Sequence, residues 1–254
     1  MQRRIEQEIE EKLRDIEEKE HVRILYAAES GSWAWGLASP DSDYDVRFIY
    51  VRPVADYLRL DNLRDVIEWQ LDEVLDINGW DLKKAMIQFQ KGNATLFEWA
   101  NSPMVYRTSK AWEDIDKVAR GYFSVKAAVH HYYGTAKSTC MQYLQEEQVQ
   151  YKKYFYALRP LLTVRYIVRK GSPAPMLFEE LMKEELPDEL QAAAHRVLAV
   201  KLASDEKEKH PQDPEIQKFI QEELERQKHL AEKLPDDRCR DWGRLNQVFL
   251  EQLL

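Results

Sequence analysis

The sequence predicts an α+β protein: strands and helices share roughly the first hundred residues, and the remainder is helical. Three observations carry this reading. Apolar runs of strand length fall at 22–29, 43–51, 66–71 and 73–77, each bounded by charged or turn-forming residues. After Gly92 such runs become scarce, and charged, helix-favouring composition takes over. Seven Trp, thirteen Tyr and eight Phe in 254 residues supply core enough for one large domain or two modest ones, which excludes disorder as the main state.

Each element follows from its own pattern. Ile5, Ile9, Leu13 and Ile16 recur at helical spacing among charges, so 3–20 is an amphipathic helix. Val22 to Glu29 is a compact apolar strand, broken by Ser30-Gly31-Ser32 and followed by a short helix over 33–38. Ser39-Pro40-Asp41-Ser42 is a turn. Asp43 to Val51 alternates as a second strand, ended by Arg52-Pro53. Two further strands follow, the latter leading through Asn78-Gly79 into a helix from Trp80 to Lys91. Residues 110–150 are helical in composition, and 151–170 form a helix that Pro160 should kink or restart. Gly171-Ser172-Pro173-Ala174-Pro175 is a break between helices. A front domain over 1–108 and a helical domain over 109–254 are expected, with no internal repeat or low-complexity linker.

Composition narrows the function classes. The 37 basic and 45 acidic residues leave a net charge of −8, so no whole-surface basic field recruits nucleic acid. The charge is unevenly placed: 117–170 carries +8 from ten basic and two acidic residues, while 171–254 carries −7 and 1–116 carries −9. A basic middle between acidic ends suggests an anionic ligand held at one face, against the plainer reading that helical surfaces vary in charge. Cys140 and Cys239 form neither a disulfide framework nor a zinc-ligand spacing, which fits a reducing cytoplasm. No segment approaches the roughly 20 apolar residues of a bilayer span, and the first twenty residues lack an apolar signal-like core. A soluble, cytoplasmic protein is the expectation.

The informative stretch is Gly31-Ser32, then Gly36, then Asp43-x-Asp45 on the following strand. Acids at i and i+2 of a strand project side by side from one face. Such carboxylates repel unless a cation lies between them or one takes a proton, so Asp43 and Asp45 are a natural seat for a hard divalent ion, Mg²⁺ or Mn²⁺. Gly31-Ser32 at a helix start offers backbone N–H groups to a phosphate, with a hydroxyl beside them. Either half alone is common: a surface DxD is usually just solvated, and a GS turn is usually a cap. Strand, GS, helix, DxD and strand in succession is far more specific, and equips a chain for attack on a nucleoside triphosphate.

These residues match the signature of the polymerase-β-like nucleotidyltransferase superfamily. The longer string GSWAWGLASPDSDYDVRFIYVRP resembles the RNA-ligase-associated, or YcgL-like, nucleotidyltransferase family. Agreement continues through Asp76 to Lys84, Gly92-Asn93, Glu98-Trp99, Ser102-Pro103 and the helix from Lys152 to Pro160. The resemblance implies a small mixed sheet with flanking helices in a catalytic domain, and a helical domain that completes the nucleotide and acceptor site. It implies NTP bound through two Mg²⁺ ions and transfer of a nucleoside monophosphate to an acceptor hydroxyl. It also implies a third carboxylate on a later strand, as metal ligand and proton acceptor. Asp76 matches best, with Asp72 and Asp81 as rivals, although Asp81 could instead cap a helix.

Lys152, Tyr156 and Arg159 fall on one helical stripe, with Lys153 beside them; together they would suit the β- and γ-phosphates or an RNA backbone. A basic face packed over apolar neighbours is the competing account. Adjacent His130 and His131 point about 100° apart on a helix and cannot both ligate one ion. Trp33 and Trp35 flank the cradle but read as core, and Cys140 has no support as a nucleophile. The leading expectation is a metal-dependent nucleotidyltransferase acting on an RNA end, with an RNA ligase as a possible partner. A protein- or small-molecule-modifying transferase keeps the chemistry and changes the acceptor. A catalytically silent nucleotide-binding module is the third reading, disfavoured because Asp43 and Asp45 are intact.

Overall fold

A computed structural model describes residues 2–39, 42–71, 74–205 and 208–254. The expected turn residues Pro40-Asp41, and Asp72 as a rival third carboxylate, lie outside the described residues. Chain contacts divide the molecule into two units, Met1–Phe123 with Arg238–Leu254, and Ser124–Asp237.

The first unit is built on a mixed sheet. Its elements run α1 (Gln2–Glu20), β1 (Arg23–Ser30), α2 (Gly31–Ala34), β2 (Tyr44–Val51), α3 (Val54–Tyr57), β3 (Val66–Leu71), β4 (Leu75–Asp81), α4 (Leu82–Gln90), α5 (Ala94–Ala100), β5 (Val105–Arg107) and α6 (Lys110–Ala119). The strands lie in the order β3-β4-β2-β1-β5. The β2–β4 pair is parallel and the other neighbours are antiparallel, so the expected mixed sheet is present.

Alternation along β2 explains the two layers that cover this sheet. Val46, Phe48 and Tyr50 turn to one face, where Ile9, Leu13 and Ile16 of α1 close over them with Ile24, Leu75 and Ile77. Ile49 and Val51 turn to the other, packing with Leu82, Met86, Phe89, Leu96, Trp99, Trp112 and Ile115 from α4, α5 and α6. On that second face the residues preceding Ile49 are polar: Arg47, then Asp45. The face therefore passes from a helix-covered apolar floor to a half-exposed charged end.

Local chemistry fixes the helix starts. Asp81 caps α4, accepting from the Lys83 amide at 2.7 Å, and the Tyr57 hydroxyl donates to its other oxygen at 2.9 Å. Asp81 is thus a cap and not a third acid at the site. Asn93 and Ser109 cap α5 and α6 in the same manner.

The second unit is helical: α7 (Val125–Tyr143), α8 (Tyr151–Lys170), α9 (Phe178–Glu185), α10 (Asp188–Ala203) and α11 (Pro214–Lys233), with a short ribbon of β6 (Gln148–Val149) against β7 (His210–Pro211). α8 is its axis and packs on the other four helices. It runs through Pro160 as one element and ends at Gly171, whose φ of +68° is the left-handed conformation that suits glycine after a helix. Where the unit begins and ends, Asp237 accepts from the Ser124 hydroxyl at 2.5 Å and the Val125 amide at 2.7 Å. The last helix, α12 (Gly243–Leu253), belongs to the first unit, where Leu245 and Val248 enter the cluster around Trp112. Among the described residues no helix is long and apolar enough to cross a membrane.

One expected turn does not form. Asn78-Gly79 reads as a strand break, yet β4 continues through it to Asp81. Gly79 pairs with Phe48 on β2, and a Cβ built at Gly79 would lie 2.1 Å from the Phe48 ring. The missing side chain is the seat of the aromatic ring. Gly79→Ala is expected to cost about 2 kcal/mol by overpacking, read from urea unfolding, with Phe48→Leu in the same chain recovering part of the loss. An unchanged unfolding midpoint in Gly79→Ala would show that the ring does not depend on that seat.

Candidate active site

The charged end of the sheet gathers several of the residues singled out from sequence. Parallel pairing of β2 with β4 sets Asp45 opposite Asp76 in register, so two carboxylates from different strands face each other on one side of the sheet. The Arg47 guanidinium lies between them. Its Nη2 donates to Asp45 Oδ1 at 2.8 Å and to Asp76 Oδ2 at 2.6 Å, and its Nη1 donates to the Asp76 carbonyl at 3.0 Å. Burial raises the Asp45 carboxyl above the usual carboxylate range, the Arg47 charge opposes that, and Asp43 and Asp76 add to the rise by repulsion.

Gly31 closes the site on the other side. Its φ is +67°, and a Cβ there would fall 2.0 Å from Asp45 Oδ2. No other residue type allows this approach. Gly31 and Ser32 open α2, a single turn, and the Ser32 carbonyl accepts from the Leu37 amide at 2.9 Å. Trp33 stacks on Tyr44 at 4.8 Å between ring centroids, and its indole N–H donates to the Ser42 carbonyl at 3.2 Å, so its face is engaged by the protein.

Beneath the acids stands a residue that sequence reading missed. Glu29 is fully buried. It accepts from the Asp45 amide at 2.7 Å and from the Tyr106 hydroxyl at 2.5 Å. Ser102 in turn donates to the Glu29 carbonyl at 2.6 Å. Register sets Glu29 opposite Val46, on the α1 side of the sheet, so it supports Asp45 from the opposite face. Burial pushes its carboxyl up to about 7, against the lowering effect of its two hydrogen bonds. Its only mark in the sequence is an acid ending an apolar run. Arg47 was missed as well, although positions 43, 45 and 47 share a face by simple parity.

Whether these residues suit a divalent cation can be judged from the donors and from what now lies between them. Asp45 and Asp76 are hard oxygen donors, and the gap between them holds a positive charge in the form of Arg47. Chemistry and charge therefore fit. Asp43, one residue before β2, is exposed, and among the described residues no three acids, His or Cys converge on a single ion position.

The basic residues of α8 belong to the second unit. Lys153 Nζ lies 4.0 Å from the Tyr143 ring centroid and 5.2 Å from that of Tyr156, a cation held against two aromatic faces. Lys152 and Tyr156 are half-buried. Arg159 differs from the expected stripe: it is buried, with Nε donating to the Met176 carbonyl at 3.4 Å. At that position the helix faces its own core and the loop before α9, where the guanidinium binds backbone. His130 and His131 are exposed, and burial pushes the Cys140 thiol up, away from nucleophile chemistry.

Comparison with known proteins bears on the family. Residues 5–251 match the model of the RNA repair pathway DNA polymerase beta family. The chain is 39% identical over 248 residues to an uncharacterized protein, YcgL, of Bacillus subtilis strain 168, covering 97% of this chain and 95% of that one. A solved nucleotidyltransferase-like protein from Exiguobacterium sibiricum 255-15 aligns over 96% of this chain and 79% of its own, at 13% identity and a TM-score of 0.31, a loose superposition. With the family model spanning nearly its whole length and the resemblance read from Gly31-Ser32, Asp43 and Asp45 borne out, the chain belongs to the RNA repair pathway DNA polymerase beta family and is a nucleotidyltransferase of the polymerase-β type.

Proposed function

We propose that this chain moves a nucleoside monophosphate from an NTP to a hydroxyl at an RNA end, with Mg²⁺ or Mn²⁺ held by Asp45 and Asp76 and approached by Asp43. The observation that carries the reading is the in-register pair Asp45–Asp76 with the Arg47 guanidinium between the two carboxylates and Asp45 tight against Gly31. RNA as acceptor is supported by the family's association with RNA repair and by the basic 117–170 segment.

In the proposed reaction the acceptor oxygen bonds to the α-phosphorus as the bond to the β-phosphate oxygen breaks and pyrophosphate leaves. Divalent ions, when bound, neutralise charge on the entering and leaving oxygens. The protein's own contribution is placement. Glu29 fixes the Asp45 amide, β4 fixes Asp76, and Gly31 keeps side-chain atoms out of the space beside Asp45. Asp76 is the acid proposed to take the proton of the attacking hydroxyl. Lys152, Lys153 and Tyr156 of α8 are proposed to bind polyphosphate or RNA backbone. Arg159, committed to Met176, positions the loop before α9 instead.

Label transfer from each α-labelled NTP into RNA of defined ends tests the chemistry. Asp43→Ala/Asp45→Ala should lower transfer by roughly a hundredfold or more, the scale on which preorganised electrostatic groups act. Transfer that survives in the double variant overturns the site. Label appearing only on a protein or small molecule keeps the chemistry and replaces the acceptor.

RNA binding by α8 has a separate signature. Lys152→Ala/Lys153→Ala should weaken binding to all RNA sequences alike and flatten the log–log salt dependence by about one to two units. An unchanged slope removes these lysines from the interface.

Glu29 gives a pH dependence of stability with a definite sign. Its carboxyl lies near 4.5 when unfolded and is raised to about 7 when folded, so between those values the folded chain holds the extra proton. Stability contributed by Glu29 is full below about 4.5 and is lost as pH rises to about 7. Melting temperatures of wild type minus Glu29→Gln should decline across that window. A difference constant with pH would mean that Glu29 folds in its charged form.

A further inference from the structure

Among the described residues at the site, Arg47 is a charged group for which neither the superfamily signature nor the reaction has a use. It follows Asp43 and Asp45 at the two-residue repeat of a strand, and its side chain is 17% exposed. Two of its four hydrogen bonds go to carboxylates on different strands and two to carbonyls, those of Asp76 at 3.0 Å and Val46 at 3.2 Å. Nη2 alone bridges the two carboxylates while Nη1 is held by the two carbonyls, so the guanidinium takes four partners where an ammonium has three donors. Arg47 therefore fills the gap between Asp45 and Asp76 that a divalent ion requires. The two cations exclude each other there.

We propose that Arg47 is a positioning residue that serves as the resident counter-ion of the site: it holds Asp45 and Asp76 in place and competes with divalent metal for them, so that metal binds weakly alone and tightly together with a nucleotide polyphosphate, to which the released guanidinium turns. The inference rests on the metal site of the function proposed above. Its physical basis is charge balance. With Arg47 in place one of the two negative charges is already balanced, and an incoming ion must break two charge-assisted hydrogen bonds. With Arg47 removed, the carboxylates face each other uncompensated, and a divalent ion relieves the repulsion. A polyphosphate changes the balance again, since it offers the displaced guanidinium an anionic partner of matching bidentate geometry.

The test is Mn²⁺ binding to the full chain without nucleotide, followed through the paramagnetic resonance of the free ion, in wild type, Arg47→Gln, Arg47→Lys and Arg47→Gln/Asp45→Asn. Arg47→Gln should bind Mn²⁺ roughly tenfold or more tightly than wild type, the scale of hydrogen bonds to charged groups. Asp45→Asn in that background should abolish the gain. A non-hydrolysable NTP analogue should close most of the gap between wild type and Arg47→Gln. Arg47→Lys, which keeps the charge and loses the Nη1 hydrogen bonds to the carbonyls, should fall between them, and it carries the comparison if circular dichroism shows Arg47→Gln unfolded. Equal Mn²⁺ affinity in wild type and the Arg47 variants, still dependent on Asp45, overturns the counter-ion role and leaves the proposed function standing. Absence of Mn²⁺ binding in every chain, with and without the analogue, overturns both.

Discussion

Parallel pairing of β2 with β4 is the constraint on which the site depends. It sets two acids from separate strands side by side, a placement that costs free energy unless positive charge lies between them. The surrounding features answer that cost. Arg47 comes from the same strand face, two residues beyond Asp45, and binds both carboxylates. Glu29, on the reverse of the sheet, grips the Asp45 amide, and burial raises its own carboxyl to about 7, so its charge is only partly formed near neutrality. Gly31 adds close backbone approach without a side chain in the way.

The same strand shows how function and core share one sheet. Odd positions of β2 run from Asp45 and Arg47 to Ile49 and Val51, and only the latter pair is covered by the helices around Trp112. Even positions are apolar throughout, because α1 covers that face along its length. A strand buried on one face and half-buried on the other can carry charge at one end with its hydrophobic footing intact. Tyr106 and Ser102, on or beside the short edge strand β5, complete the footing under Glu29.

Much of this was legible in the sequence, for identifiable reasons. Strand alternation marked the element that is β2 and put Asp45 on its charged face, while Asp43 falls one residue before the strand; Asp76 was expected where a later strand ends, and it lies near the start of β4. What escaped was long-range. Glu29 could not be told from the end of an apolar run until Tyr106, seventy-seven residues away, was seen to meet it. Arg47 was readable by parity but has no place in the superfamily signature. Asn78-Gly79 looked like a turn because local chemistry favours one, and the Phe48 ring that demands a glycine in mid-strand is visible only once β2 and β4 pair. Helical spacing put Arg159 on a stripe with Lys152 and Tyr156, but spacing does not say which part of a stripe meets solvent. The attachment of α12 to α4 and α6 of the first unit left no trace in its composition.

That last attachment bears on how the chain is made. The second unit is inserted into the first, and its entry and exit are tied together by Asp237 at the start of α7. Leu245 and Val248, which finish the core around Trp112, leave the ribosome after the whole insertion has been synthesised. The inserted helices can become compact during translation, whereas the helix layer over the catalytic sheet keeps an open apolar patch until α12 arrives. During synthesis, chaperone demand should therefore fall on the earlier-made part of the chain.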